Sequence, residues 1–212
     1  MKARSERTSS YVLYGLGGVG KSQIAIEYSY RHHADFDIVY WLRADNYEMF
    51  LMSYAQLYND PSFKALSNLD LGDENNVEII AMRIKSWFES CQDITWLLIV
   101  DNADKLETIT DQKIKIIATL IPKGRGGCVL VTSRNRSANG QLATTGEELH
   151  VMDKDTAKKF LFKCSQVTPD EPEADLLVET LGRLPLAIEQ AGGFMREKGI
   201  SIAEYRGLYH SN

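Results

Sequence analysis

Apolar positions fall into two textures along the chain. Up to about residue 152, continuous apolar runs alternate with stretches repeating every three or four residues; beyond it only the helical spacing remains. The runs are Tyr11-Val12-Leu13-Tyr14, residues 38–42, residues 96–100 and residues 128–132. Short and without polar alternation, they read as strands buried on both faces of a parallel sheet. Residues 148–151 read as a short fifth strand. Between the runs, Ile24, Ala25 and Tyr28 predict a helix ending near His33, and residues 48–58 a second. Asp60-Pro61 breaks the second, and the segment from there to Asn76 reads as a mobile surface loop. Val77, Ile80, Ala81, Ile84 and Phe88 predict a third helix capped by Asn75 or Asn76, and residues 115–120 continue a fourth, stopped by Pro122.

Past Asp153 the pattern is helical only. Ala157, Phe160, Leu161 and Cys164 line one face, and Leu177 and Leu181 another. Pro185 starts a helix carrying Ala187, Ala191 and Phe194, and Ser201-x-x-Glu204 is a capping box before Ile202, Tyr205 and Tyr209. The expected division is therefore a disordered lead-in or cloning remnant over 1–10, an α/β domain over 11–152 and a helical subdomain over 153–212.

Composition changes this picture little. A chain of 212 residues has room for one α/β domain and a small helical appendage. A net charge of −5 argues against a nucleic-acid surface, and no apolar run is long enough to span a membrane. The widely spaced Cys91, Cys128 and Cys164 form no disulfide or zinc pattern, which suits a reducing, cytoplasmic setting.

Candidate chemistry concentrates in Gly15-Leu16-Gly17-Gly18-Val19-Gly20-Lys21-Ser22, between the first strand and the first helix. It fits G-x-x-x-x-G-K-[ST], whose backbone amides and following helix dipole cradle phosphates. Gly15, Gly17 and Gly20 also fit the dinucleotide pattern G-x-G-x-x-G, but that loop has no use for Lys-Ser after its last glycine. A nucleoside phosphate is the expected ligand, with Gly15, Gly17, Gly18, Val19, Gly20, Lys21, Ser22 and Gln23 as its contacts. Lys21 is expected on the β- and γ-phosphates and the Ser22 hydroxyl on Mg²⁺. The run at residues 96–100 ends in Asp101, a Walker B pattern expected to share that Mg²⁺. Arg134, directly after the fourth strand, is expected level with the phosphates.

Taken in order, Gly-Leu-Gly-Gly-Val-Gly-Lys-Ser, Tyr-Trp-Leu-Arg-Ala-Asp, Leu-Leu-Ile-Val-Asp-Asn-Ala-Asp, Val-Thr-Ser-Arg and Leu-Gly-Arg-Leu-Pro-Leu-Ala resemble the NB-ARC domain of STAND-class P-loop NTPases, particularly the fungal NOD-like receptor versions. The resemblance runs from about Tyr11 to Tyr209. It implies a five-stranded parallel sheet in the order 2-3-1-4-5 followed by the family's first helical subdomain. It also implies a switch that is closed with ADP and opens and self-associates with ATP. By position, Arg134 corresponds to the first sensor and Pro185 to the proline that packs on the nucleotide.

Three departures from the family pattern stand out. The second acid after the Walker B aspartate is replaced by Asn102; an amide accepts no proton, so hydrolysis is expected to be slow unless Asp104 substitutes. The resemblance implies a winged-helix subdomain with an ADP-clamping histidine, which residues 1–212 do not include. Almost no room precedes Tyr11 for the adenine-cradling segment, so a looser site is expected, in the core of a larger protein or a truncated relative. The candidate catalytic residues are thus Lys21, Asp101, Arg134 and Asp104, the metal ligands Ser22 and Asp101, and the cofactors ATP or ADP with Mg²⁺. Expected partners are nucleotide, further copies in the ATP state of the full-length protein, and unidentified effector and sensor domains, with neither nucleic acid nor membrane. The leading function is a regulatory ATP/ADP switch. An AAA-like turnover ATPase and an interaction module with structural ADP are the alternatives, and adenine over guanine rests on the resemblance.

Overall fold

The computed structural model describes residues 8–104 and 117–211. Most of the expected lead-in, and the start of the helix expected at 115–120, lie outside the described residues; residues 117–120 are helical. The described residues form two compact units. The first comprises residues 8–15, 21–104 and 117–148, and the second residues 16–20 with 149–211.

The first unit is built on a five-stranded parallel sheet, β1 (Ser9–Gly15), β2 (Ile38–Arg43), β3 (Trp96–Asp101), β4 (Gly127–Ser133) and β5 (Thr145–Leu149). β1 takes in the last two residues of the expected lead-in, and β5 starts before the expected 148–151. The order across the sheet is β2-β3-β4-β1-β5, which corrects the expected 2-3-1-4-5. β1 and β4 are both apolar on two faces, so pattern alone does not rank their neighbours. The ladders do: β4 pairs with β3 from Gly127 to Val131 and with β1 from Cys128 to Ser133. The order matters chemically. Strands lie about 4.8 Å apart, so only adjacent strands bring the carboxyl ends of β3 and β4 within hydrogen-bonding reach.

One face of the sheet carries the main core, packed by α2 (Tyr47–Asn59) and α4 (Val77–Ser90). Trp96, Leu98, Val100, Val129 and Val131 supply the sheet side, and Phe50, Tyr54, Ile84 and Phe88 the helix side. Asn76, one of the two expected caps, accepts from the Glu78 and Ile79 amides. The expected loop after Asp60 is instead partly α3 (Pro61–Ser67). Asp60 caps it, Pro61 sits in its first turn, where a missing N–H costs nothing, and Phe63 is buried against Trp87 and Phe88. α1 (Lys21–Arg31) buries Ala25 but leaves Ile24 and Tyr28 exposed, against the stripe expected there.

The second unit holds α5 (Lys154–Ser165), α6 (Glu171–Thr180), α7 (Pro185–Lys198) and α8 (Ile202–His210). Ala157, Leu161, Leu177, Val178, Ile188, Ala191, Met195 and Ile202 form its core. The Ser201–Glu204 capping box is present in both directions. Among the described residues, no helix is long and apolar enough to cross a membrane.

Candidate functional site

The site grows from the carboxyl ends of three adjacent strands. β1 ends at Gly15, whose φ of +138° opens the turn that the glycine-rich stretch completes before α1 begins at Lys21. Lys21 is 8% exposed, and its Nζ donates to the Gly15 carbonyl at 2.9 Å. Burial lowers the ammonium's pKa; the Asp104 carboxylate opposes that shift, Arg134 adds to it and Asp101 opposes it. A cation held partly desolvated is drawn to a polyanion that restores its lost solvation.

Beside it, Ser22 Oγ donates to Asp101 Oδ1 at 2.7 Å, and Thr132 Oγ1 donates to the same oxygen. Thr132 is fully buried, and its hydroxyl also accepts from the Asn102 backbone N–H at 3.0 Å. Thus β4 fixes both the Walker B carboxylate and the backbone after it. The Ser22 hydroxyl and Asp101 carboxylate meet at one point, a pair of hard oxygen donors of the kind Mg²⁺ takes together with substrate phosphates. Thr132 was not singled out by sequence, since a threonine inside an apolar run reads as a strand residue.

Asn102 occupies the left-handed region at φ +61°, which asparagine tolerates better than most residues. Its amide donates to Asp45 Oδ1 at 3.3 Å, and Asp45 pairs with Arg43 at 3.2 Å. The position expected to carry a second acid therefore anchors the end of β3 to the loop after β2.

Asp104 and Arg134 form a clamp. The Arg134 backbone N–H donates to Asp104 Oδ1 and its Nε to Oδ2, each at 2.6 Å. The Asp104 side chain is 17% exposed and that of Arg134 is 64% exposed. Gln23 is exposed on the first turn of α1.

Within the second unit, the Leu186 N–H donates to the Gly18 carbonyl at 3.2 Å. Pro185 is the first residue of α7, so the helix that it opens is pinned at its second residue to the tip of the loop. Gly18 has φ +76° and Gly20 φ +104°, and a Cβ on Gly18 would meet Leu186 Cβ at 3.2 Å. Val19 is buried, whereas Gly17 is exposed.

No protein-family model matches the chain. A curated nucleotide-binding leucine-rich repeat (NLR)-like protein of Hyaloscypha variabilis is 30% identical over 217 aligned residues, covering 93% of this chain. This likeness supports a domain of the NB-ARC/STAND type. The chain spans 21% of the length of that relative. Among solved structures, the chain is similar to the ORC2 protein of Aeropyrum pernix, solved in ADPNP–ADP complexes. The TM-score is 0.58 at 12% identity, over 97% of this chain and 62% of that one. At such identity the likeness shows the fold alone. A STAND protein of Pyrococcus horikoshii with a tetratricopeptide repeat sensor matches at TM-score 0.47 and 18% identity, over 85% of this chain and 27% of that one.

Proposed function

We propose that the chain is the ATP/ADP-binding switch core of a NOD-like signalling receptor of the cytoplasm, with slow hydrolysis at most. The observation that carries this reading is the 2.7 Å bond between Ser22 Oγ and Asp101 Oδ1. It joins the residue after the loop lysine to the acid at the end of β3, 79 positions away. The loop amides and Lys21 bind the β- and γ-phosphates and stabilise their charge. Ser22 and Asp101 would hold Mg²⁺, which would supply positive charge to offset the negative charge of the phosphates. Arg134 senses the γ-phosphate, and Pro185 transmits the state of the loop into α7. Self-association in the ATP state is the output in the full-length protein, through effector and sensor domains still to be identified.

Slow turnover follows from two commitments. Asn102 has no basic oxygen to take a proton from water. Asp104, the substitute candidate, has both carboxylate oxygens bonded to Arg134. Each of its oxygens already accepts a hydrogen bond from Arg134, which competes with an attacking water for the same lone pairs. The test is to measure, on one preparation, equilibrium binding of ATP and ADP with Mg²⁺ and the steady rate of phosphate release. Binding of both with turnover well below the roughly 1 s⁻¹ floor of ordinary enzymes supports the switch. Sustained turnover above that rate, lost in Lys21→Ala, would establish a turnover ATPase instead.

A further inference from the structure

Resting on that reading, we propose that Asp104 is a positioning residue that occupies Arg134 in place of a third phosphate and so biases the site toward a nucleoside diphosphate.

A carboxylate offers two adjacent anionic oxygens to a guanidinium, as a terminal phosphate does. Asp104 already makes that offer, taking the Nε and backbone N–H of Arg134 at 2.6 Å each. Its charge also acts on the loop lysine, opposing the effect of burial on Lys21 more than Asp101 does. The carboxylate is mostly buried while the arginine is mostly exposed, so the acid is the fixed member and the arginine the movable one. The local backbone holds the acid still: the Asp104 N–H donates to the Asn102 carbonyl at 2.7 Å, and the Ala103 N–H to the Thr132 carbonyl at 2.9 Å.

A γ-phosphate therefore meets one of two costs. Either Arg134 leaves Asp104, breaking a charge-assisted pair, or it stays and the carboxylate repels the new anion. A diphosphate that ends short of Arg134 meets neither. Because the guanidinium is well solvated, the bias is modest and falls with salt.

The test uses four versions of the chain: wild type, Asp104→Asn, Arg134→Gln and the double variant. Each is titrated with ATP and with ADP in Mg²⁺ at low salt, and the ratio of the two affinities is read. A ratio taken within one preparation is insensitive to a misfolded fraction, and Asp104→Asn keeps an oxygen for the Arg134 amide. Asp104→Asn is expected to move the ratio toward ATP by about threefold to fivefold, Arg134→Gln to move it toward ADP, and Asp104→Asn to add nothing in the Arg134→Gln background. An unchanged ratio in Asp104→Asn overturns the inference while leaving nucleotide binding intact. A shift of the same size with Arg134 removed also overturns it, since the carboxylate then acts by its charge alone. A wild type that binds neither nucleotide removes the switch reading itself, and this inference with it.

Discussion

Thr132 Oγ1 donates to Asp101 Oδ1 while accepting the backbone N–H of Asn102, so one buried hydroxyl on β4 holds both the Walker B acid and the turn after it. Thr132→Val keeps the shape and removes both bonds, leaving the Asn102 N–H without that partner. The expected cost is about 2 kcal/mol, read as a lower denaturation midpoint with an unchanged slope. Thr132→Ser retains the hydroxyl and is expected to lose only about 1 kcal/mol, for the buried methyl.

Asn102→Asp tests the opposite side of the same turn. Its new carboxylate lies where the amide now donates to Asp45 Oδ1 at 3.3 Å, so two like charges meet. The melting temperature is expected to fall at pH 7 and to recover part of the loss at high salt, which screens the repulsion between exposed like charges. A variant as stable at pH 7 as wild type contradicts the Asn102–Asp45 contact.

Gly18→Ala combines a backbone and a contact effect. The residue would sit at φ +76°, which costs an L-residue about 1–2 kcal/mol, with its Cβ 3.2 Å from Leu186 Cβ. The loop tip is expected to shift and ADP affinity to fall by about tenfold, with far-ultraviolet circular dichroism unchanged. Wild-type affinity in this variant contradicts the placement of Gly18.

The helical unit is expected to be acid-labile. Hydrogen bonds from Thr156 hold the Asp153 cap below its usual 3.8, Lys158 and Lys154 do the same for Asp175, and Ser201 holds Glu204 below 4.5. Each depressed carboxyl contributes stability that is complete above its unfolded value and disappears as pH falls through its folded value. Melting temperature is therefore expected to be flat from pH 7 to about 5 and to drop below about 4, less steeply in Asp153→Asn.

What was legible in sequence divides by the range of the interaction. Strand runs, the glycine-rich loop and the Ser201–Glu204 box declare themselves over a few residues, and so did Asp101 once a P-loop stood upstream. Strand order did not, because it depends on which of two equally apolar strands, β1 or β4, pairs with β3. Short helix α3 was legible in retrospect: Asp60-Pro61 is a cap followed by a first-turn proline as well as a breaker. The Asp104–Arg134 clamp spans 30 positions and depends on the β3–β4 adjacency, so no local spacing announces it.

The most direct test of the account is calorimetric titration of the wild-type chain and Lys21→Ala with ADP in Mg²⁺. Lys21 is a buried cation at the loop, bonded to the Gly15 carbonyl. Wild type is expected to bind one ADP per chain. Lys21→Ala is expected to lose at least about tenfold in affinity, for a charge-assisted bond worth roughly 1.5–3 kcal/mol. Its nucleotide-free melting temperature should not fall by more than a few degrees, since a desolvated ammonium goes with it. Equal ADP binding by the two proteins, or none by either, would contradict a nucleotide switch built on this loop.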